Sequence, residues 1–200
     1  MGTRKRYGVA TVERRVAFEG RLLRVEANRV REPMLAADPQ ANGDASPGPV
    51  VSREVVRHPG VAAVVALTPE REVVLVRQFR YAADRVLLEI PAGTLAPDEA
   101  PEACAQRELA EETGYRAAGL QPLGSFFTAP GFCDEVIHLY RADDLTPGVP
   151  HPDEGEEVEA VLVPIEECRR RLLAGSFEDA KTQVGLALVL LGEAAAESGP

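Results

Sequence analysis

Between Ser52 and Ile90 the sequence places four short apolar runs, Ser52–Arg57, Val61–Leu67, Glu72–Phe79 and Val86–Ile90, each bounded by proline, glycine or charged residues. Runs of that length, rich in valine, leucine and isoleucine, suit buried strands, because branched side chains fill a pleated surface. Pro101–Thr113 breaks the rhythm. Proline stands near its start, no β-branched residue precedes Thr113, and Gly114 supplies a stop, so a helix is expected there. Further strands are expected at Leu120–Phe127, Glu135–Arg141 and Val158–Val163, and helices at Ile165–Ala174 and Asp179–Ala196. Strands clustered around one helix, with helices closing the chain, indicate an α+β sandwich.

Ahead of this block, Val12–Phe18 and Arg21–Val30 flank Glu19-Gly20, the pattern of an antiparallel β-hairpin. Glu32–Pro49 carries four prolines and two glycines and is expected to be a surface loop without a helix or a central strand. The chain of 200 residues is thus divided into an N-terminal β extension, 1–58, and a main domain, 59–200.

Thirty-two acidic residues against 22 basic ones leave a net charge of −10, which excludes the basic footprint of nonspecific binding to nucleic acid or anionic membrane. An anionic substrate would need a local divalent cation to reverse that field. Cys104, Cys133 and Cys168 are odd in number and contain no CxxC pair, so neither a disulfide framework nor a zinc site is expected. Met1–Arg6 is basic but leads into Tyr7-Gly8-Val9, not a long apolar run, and Val184–Leu191 is too short to span a bilayer. The expected location is the cytoplasm.

The helix at Pro101–Thr113 carries the chemistry. At about 100° per residue, Glu112 lies about 40° around from Glu108 and Glu111 about 60° to the other side, so three carboxylates share one face. Like charges at that spacing cost a helix a few tenths of a kcal/mol per pair, and Arg107 can offset part of it. Oxygen-rich clusters of this kind suit Mg²⁺, which takes one or two carboxylates, waters and phosphate oxygens.

Upstream, Leu88-Glu89-Ile90-Pro91-Ala92-Gly93 runs from a strand into a glycine-bearing loop. The strand, loop and helix together resemble the Nudix hydrolase signature at all nine specified positions: Gly93, Glu99, Arg107, Glu108, Leu109, Glu111, Glu112, Gly114 and Tyr115. Ordinary residue usage would produce such a match about once in 10⁹ starting positions. The resemblance implies a Nudix fold, a mixed β-sheet sandwiched between helices, and hydrolysis of a nucleoside diphosphate linked to another moiety. It implies Glu108 and Glu112, with Glu111, as metal ligands, completed by the Ala92 carbonyl. Arg107 would orient the glutamates and Glu99 would support the loop.

Three flanking features resemble the ADP-ribose pyrophosphatases within that family. Glu89-Ile-Pro-Ala-Gly93 precedes the signature. Pro130 and Gly131 follow it within Phe127-Thr-Ala-Pro-Gly-Phe-Cys-Asp-Glu135, where Ala129 departs from the usual serine. His151-Pro-Asp-Glu-Gly-Glu-Glu157 is similar to the acidic loop that supplies the general base, with Glu154 the favoured base, Glu156 the neighbouring alternative, and Glu111 a further candidate. Arg80 matches a strand-end arginine that contacts diphosphate, and Glu89 and Glu135 match positions near the terminal ribose. The resemblance implies Mg²⁺, with Mn²⁺ or another divalent ion as substitutes, a small nucleotide-sugar substrate, and a homodimer built through the N-terminal strands. Hydrolysis of another nucleotide sugar such as GDP-mannose stays open, as does a non-catalytic ADP-ribose sensor, although a pure binder has no need of the full glutamate set.

Overall fold

The computed structural model describes residues 9–33, 47–152, 155 and 157–197. They fall into two compact units, the described residues up to His58 with Ala129–Glu135 forming one and the described residues of Pro59–Thr128 and from Val136 onward the other. In the first unit, β1 (Ala10–Glu13) and β2 (Val16–Glu19) both pair antiparallel with the long β3 (Arg24–Pro33), which also pairs with β4 (Pro47–Arg57). The expected single strand Val12–Phe18 is therefore two, broken at Arg14–Arg15. The break is made good locally: the Arg15 carbonyl accepts from the Ala27 N–H at 2.8 Å, and the Arg15 N–H donates to the Asn28 side chain at 3.3 Å.

The expected loop Glu32–Pro49 also needs correction at both ends. Glu32 and Pro33 belong to β3, β4 begins at Pro47, and Pro33 stands opposite Pro47. Among the described strands β4 pairs with β3 alone, and its further bridge, Val56 to Cys133, lies far along the strand from Pro47 and Pro49, so those prolines remove no ladder hydrogen bond from a second neighbour. Met34–Ser46 lie outside the described residues.

The second unit contains β5 (Val61–Leu67), β6 (Glu72–Arg80), β7 (Arg85–Glu89), β8 (Ala92–Thr94), α1 (Pro101–Thr113), β9 (Arg116–Ala117), β10 (Gln121–Phe127), β11 (Val136–Ala142), β12 (Leu145–Thr146), β13 (Val158–Pro164), α2 (Ile165–Leu173) and α3 (Ala180–Glu197). Its main sheet runs β10-β11-β5-β6-β13, with β11 parallel to β5 and the other pairs antiparallel. Strands β5 and β6 pair only at Ala66↔Val74 and Leu67↔Val73 and then separate. Strand β8 takes the released edge of β5, with Ala63 opposite Ala92, while β7 takes that of β6, with Val76 opposite Glu89. Ala92–Thr94, expected as loop, is thus a short strand, because β5 offers it an open edge. The two-residue strands β9 and β12 are too short to leave a sequence pattern.

Alternation along β5 sends its side chains to two cores. Ala63, Val65 and Leu67 join Leu75, Ile137 and Leu139 under α2 and α3, against Cys168, Leu186 and Val189. Ala62, Val64 and Ala66 join Val74 beneath α1, against Cys104, Ala105 and Leu109. The mixed sheet lies between helices, as the sequence predicts. No helix among the described residues is long and apolar enough to cross a membrane.

Helix α3 approaches β5 so closely that a Cβ at Gly185 would lie 2.8 Å from Val65 Cγ2 and 3.2 Å from Ile90 Cδ1. Gly192, on the same helix, has nothing within 4 Å of such a position. Gly185→Val is expected to cost about 1–3 kcal/mol by overpacking, a fall of several degrees in melting temperature. Gly192→Ala should instead stabilise by up to about 1 kcal/mol through helix propensity. Thermal unfolding by circular dichroism checks both, and equal shifts of one sign would contradict the close approach.

Candidate active site

Helix α1 begins with Pro101 at its first turn and ends on Gly114, whose φ of 76° is left-handed. A Cβ at Gly114 would lie 2.7 Å from the Gly148 carbonyl oxygen and 2.8 Å from the Pro150 nitrogen. Glycine therefore serves twice here, closing the helix and admitting the segment 148–151 against its end. One residue further on, the His151 N–H donates to the Glu111 carbonyl at 2.8 Å, which ties the start of the acidic segment to α1.

Gly93 does the same for the loop before the helix. A Cβ built on it would sit 1.8 Å from Glu108 Oε1, so the Glu108 carboxylate occupies the space a side chain would take. Glu112, nearly fully buried, accepts the Ala92 N–H at 3.1 Å on Oε2. The strand β8 and two turns of α1 are thereby locked together through carboxylates: Glu108 lies over Gly93 and Glu112 on the Ala92 N–H, while Glu111 meets Glu108 through Arg107.

Arg107 organises the rest. Its guanidinium donates to both oxygens of Glu99 at 2.9 and 3.0 Å, and one nitrogen, Nη1, also donates to Glu108 at 2.6 Å and Glu111 at 2.9 Å. Arg107 hydrogen bonds, with the Ala96 N–H in support, hold the Glu99 carboxyl down at about 2. Cys104 is fully buried beneath this cluster, its thiol donates to the Gly93 carbonyl at 3.5 Å, and burial, with the Glu99 charge, pushes it up to about 12. At that value it stays protonated and unreactive, a packing residue. Beside the cluster is a cavity of about 820 Å³, bordered by Arg107, Glu111, Arg116, Val149 and His151.

Among the described residues no three His, Cys, Asp or Glu side chains converge as a finished ligand set, since Glu108 and Glu111 share Arg107 and Glu112 holds the loop backbone. The donors nonetheless fit a hard divalent cation. They are all oxygens, two of the carboxylates already meet on one cationic nitrogen, and the cradle at Gly93 is open for the Glu108 carboxylate.

Arg80 and Glu89 also come together, in a form the sequence does not specify. Arg80 Nε and Nη2 donate to the two oxygens of Glu89, both at 2.8 Å, and Lys181 from α3 adds an ion pair to Glu89 Oε2. Burial opposes ionisation of Glu89, but the Arg80 hydrogen bonds and the charge of Lys181 outweigh it and keep the carboxyl below its ordinary value. The Arg80 guanidinium is raised, chiefly by its bonds to Glu89, and Glu112 contributes to the same field.

Lys181, Asp179 and Thr182 are the members the sequence reading missed. The available signal was Asp179-Ala-Lys-Thr182 at a helix start, where Asp179 accepts the Thr182 N–H at 2.9 Å as an N-cap and Thr182 Oγ1 accepts the Ile90 N–H at 2.9 Å.

Pro130, Gly131 and Glu135 belong to the first unit. There the Phe132 and Cys133 N–H groups close a turn onto the Ala129 carbonyl, and Glu135 Oε1 lies 3.5 Å from His58 Nδ1. Asp153, Glu154 and Glu156 lie outside the described residues.

Because Glu99 ionises at about 2 in the fold, against an ordinary 4.5, its stabilisation is fully present above about pH 4.5 and is lost as the pH falls towards 2. The melting-temperature difference between wild type and Glu99→Gln should accordingly stay constant from neutral pH to about pH 5 and vanish near pH 2. A difference that persisted at pH 2 would mean Glu99 acts by packing.

A family model described as NUDIX domain matches residues 56–182. The ADP-ribose pyrophosphatase of Bacillus subtilis (strain 168) is 37% identical over 186 residues, covering 92% of this chain and 94% of that one. The methanol dehydrogenase activator of Bacillus methanolicus shows the same identity and coverage. A crystal structure of an ADP compounds hydrolase superposes with a TM-score of 0.70 over 96% of both chains at 24% identity, a likeness of fold.

Proposed function

Because the chain belongs to the Nudix family, a family of divalent-metal hydrolases, we propose that it hydrolyses the pyrophosphate bond of ADP-ribose to AMP and ribose 5-phosphate, with Mg²⁺ as the working ion. The observation that carries this reading is the near full-length match to an ADP-ribose pyrophosphatase, which extends beyond the signature to the N-terminal strands. Glu108, Glu111, Glu112 and the Ala92 carbonyl would hold the ion, which when bound lowers the pKa of water and offsets charge on the diphosphate.

The chain's own residues do the remainder. Arg107, bonded to Glu99, Glu108 and Glu111, fixes the rotamers of the carboxylates before any ligand arrives. Arg80 takes the diphosphate, and Glu89 sets its orientation. Glu154 takes the proton of the attacking water, with Glu156 as the alternative base, a reading supported by the bond from the His151 N–H to the Glu111 carbonyl, three residues before Glu154 in the chain. Pro130, Gly131 and Glu135 are assigned to substrate on their sequence position. A second copy of the chain is assigned to the N-terminal sheet, where Val12, Val16 and Phe18 stand exposed. The three free cysteines support a reducing, cytoplasmic setting.

Turnover of a panel containing ADP-ribose, GDP-mannose and other nucleotide sugars with Mg²⁺, ranked by kcat/KM, tests the substrate. GDP-mannose in first place would replace ADP-ribose, and tight ADP-ribose binding without turnover would make the protein a sensor. Glu108→Gln and Glu112→Gln should each lower kcat at least about 10²-fold with the fold retained, because each removes a hard anionic ligand. Glu154→Gln should lower kcat by about 10²–10⁴-fold with KM nearly unchanged, as loss of a general base does. If Glu156→Gln is the crippled variant instead, the base lies two residues later.

A further inference from the structure

The cluster around Glu89 holds more charge than a strand-end arginine requires. Glu89 is 1% exposed and receives two cations, Arg80 from β6 and Lys181 from the first turn of α3, where the Lys181 side chain is itself only 11% exposed. Lys181 also reaches Asp179 Oδ1 at 3.1 Å. A cation in the first turn opposes the helix dipole, and a buried ammonium must be paired to be tolerated. Lysine is rare here as well, one of two in a chain whose other basic residues are arginines. Two carboxylates within reach offset that cost, Asp179 from the start of the same helix and Glu89, which Lys181 shares with Arg80.

We propose that Lys181 is a positioning residue for the diphosphate. By sharing Glu89 Oε2 it holds that carboxylate side-on against Nε and Nη2 of Arg80, and it keeps the cluster from becoming anionic.

Charge bookkeeping gives the reason. Arg80 and Lys181 balance Glu89 and Asp179, so the four groups are neutral together. Without Lys181 they carry one negative charge, in a protein whose net charge is already −10, beside the residue meant to receive an anion. With Nε and Nη2 engaged at 2.8 Å, the Nη1 edge of the 39%-exposed Arg80 side chain is the part open to a ligand. Lys181 adds a further contact to Glu89 Oε2, the oxygen that Arg80 Nη2 also engages, and so braces the bidentate pair from the α3 side. The same helix start supports the neighbouring backbone, because Thr182, capped by Asp179, accepts the Ile90 N–H two residues before Ala92.

The inference rests on the reading that Arg80 receives the diphosphate, and its test separates the two. Lys181→Met is measured for KM and kcat on the best substrate of the panel, and for Kd of ADP with Mg²⁺ by calorimetry. ADP reports on the diphosphate whichever sugar nucleotide proves to be the substrate. The expected result is a rise of about tenfold or more in KM and in the ADP Kd, with kcat within about threefold, the signature of lost binding without lost chemistry. In an Arg80→Met background the same substitution should change neither constant further, because its route is through Arg80. Lys181→Gln, uncharged but able to hydrogen bond, serves if the methionine variant does not fold. An unchanged KM and ADP Kd, whatever the melting temperature does, would reduce Lys181 to a brace for α3. An equal rise in the Arg80→Met background would show that it acts by another route, and either result overturns the proposal.

Discussion

The separation of β5 from β6 after two residue pairs is the constraint on which the site depends. A sheet cannot leave inner edges unpaired without stranding backbone donors and acceptors, so β7 and β8 fill the opening, one on each side. The chain passes between them through Glu89-Ile-Pro-Ala92, which delivers a carboxylate at one end and the Ala92 backbone at the other. Helix α1 then packs on the β5 face through Cys104, Ala105 and Leu109. Its own glutamates reach the same opening: Glu112 meets the Ala92 N–H, and Glu108 fills the hollow over Gly93.

Charge is handled by division. An anionic chain has gathered several glutamates around one opening, and their repulsion would cost the fold unless each had a cation or a donor. Arg107 serves Glu99, Glu108 and Glu111, while Arg80 and Lys181 serve Glu89. The two centres differ in kind. Arg107 lies among carboxylates proposed to hold a cation, so its bonds to Glu108 and Glu111 are ones that an ion would compete for. Glu89 is sealed from solvent and paired with Arg80 and Lys181, which suits a group that orients another residue and does not react.

Much of this was legible in the sequence. The spacing of Glu108, Glu111 and Glu112 on one helix face, the proline and glycine that bound α1, and the short apolar run of β5 each follow from local geometry, and the structure keeps them. The boundaries of α1 and β5 are matched residue for residue because proline, glycine and charged turns punctuate them. The nine-position signature further pointed to the family, since ordinary residue usage would produce that match about once in 10⁹ starting positions, and the family model matches residues 56–182.

What the sequence could not carry was pairing between distant segments. That Ala92–Thr94 is a strand depends on an edge of β5 some thirty residues earlier. That Pro47 opens a strand depends on β3 offering an edge that needs no second neighbour. Lys181 reads as an ordinary helix-start lysine until α3 folds back and sets it on Glu89, 92 positions away. Residue type and period are local, and the chain states them directly. Which cation meets which carboxylate is set by how sheets split and helices return, and only the tertiary structure decided that.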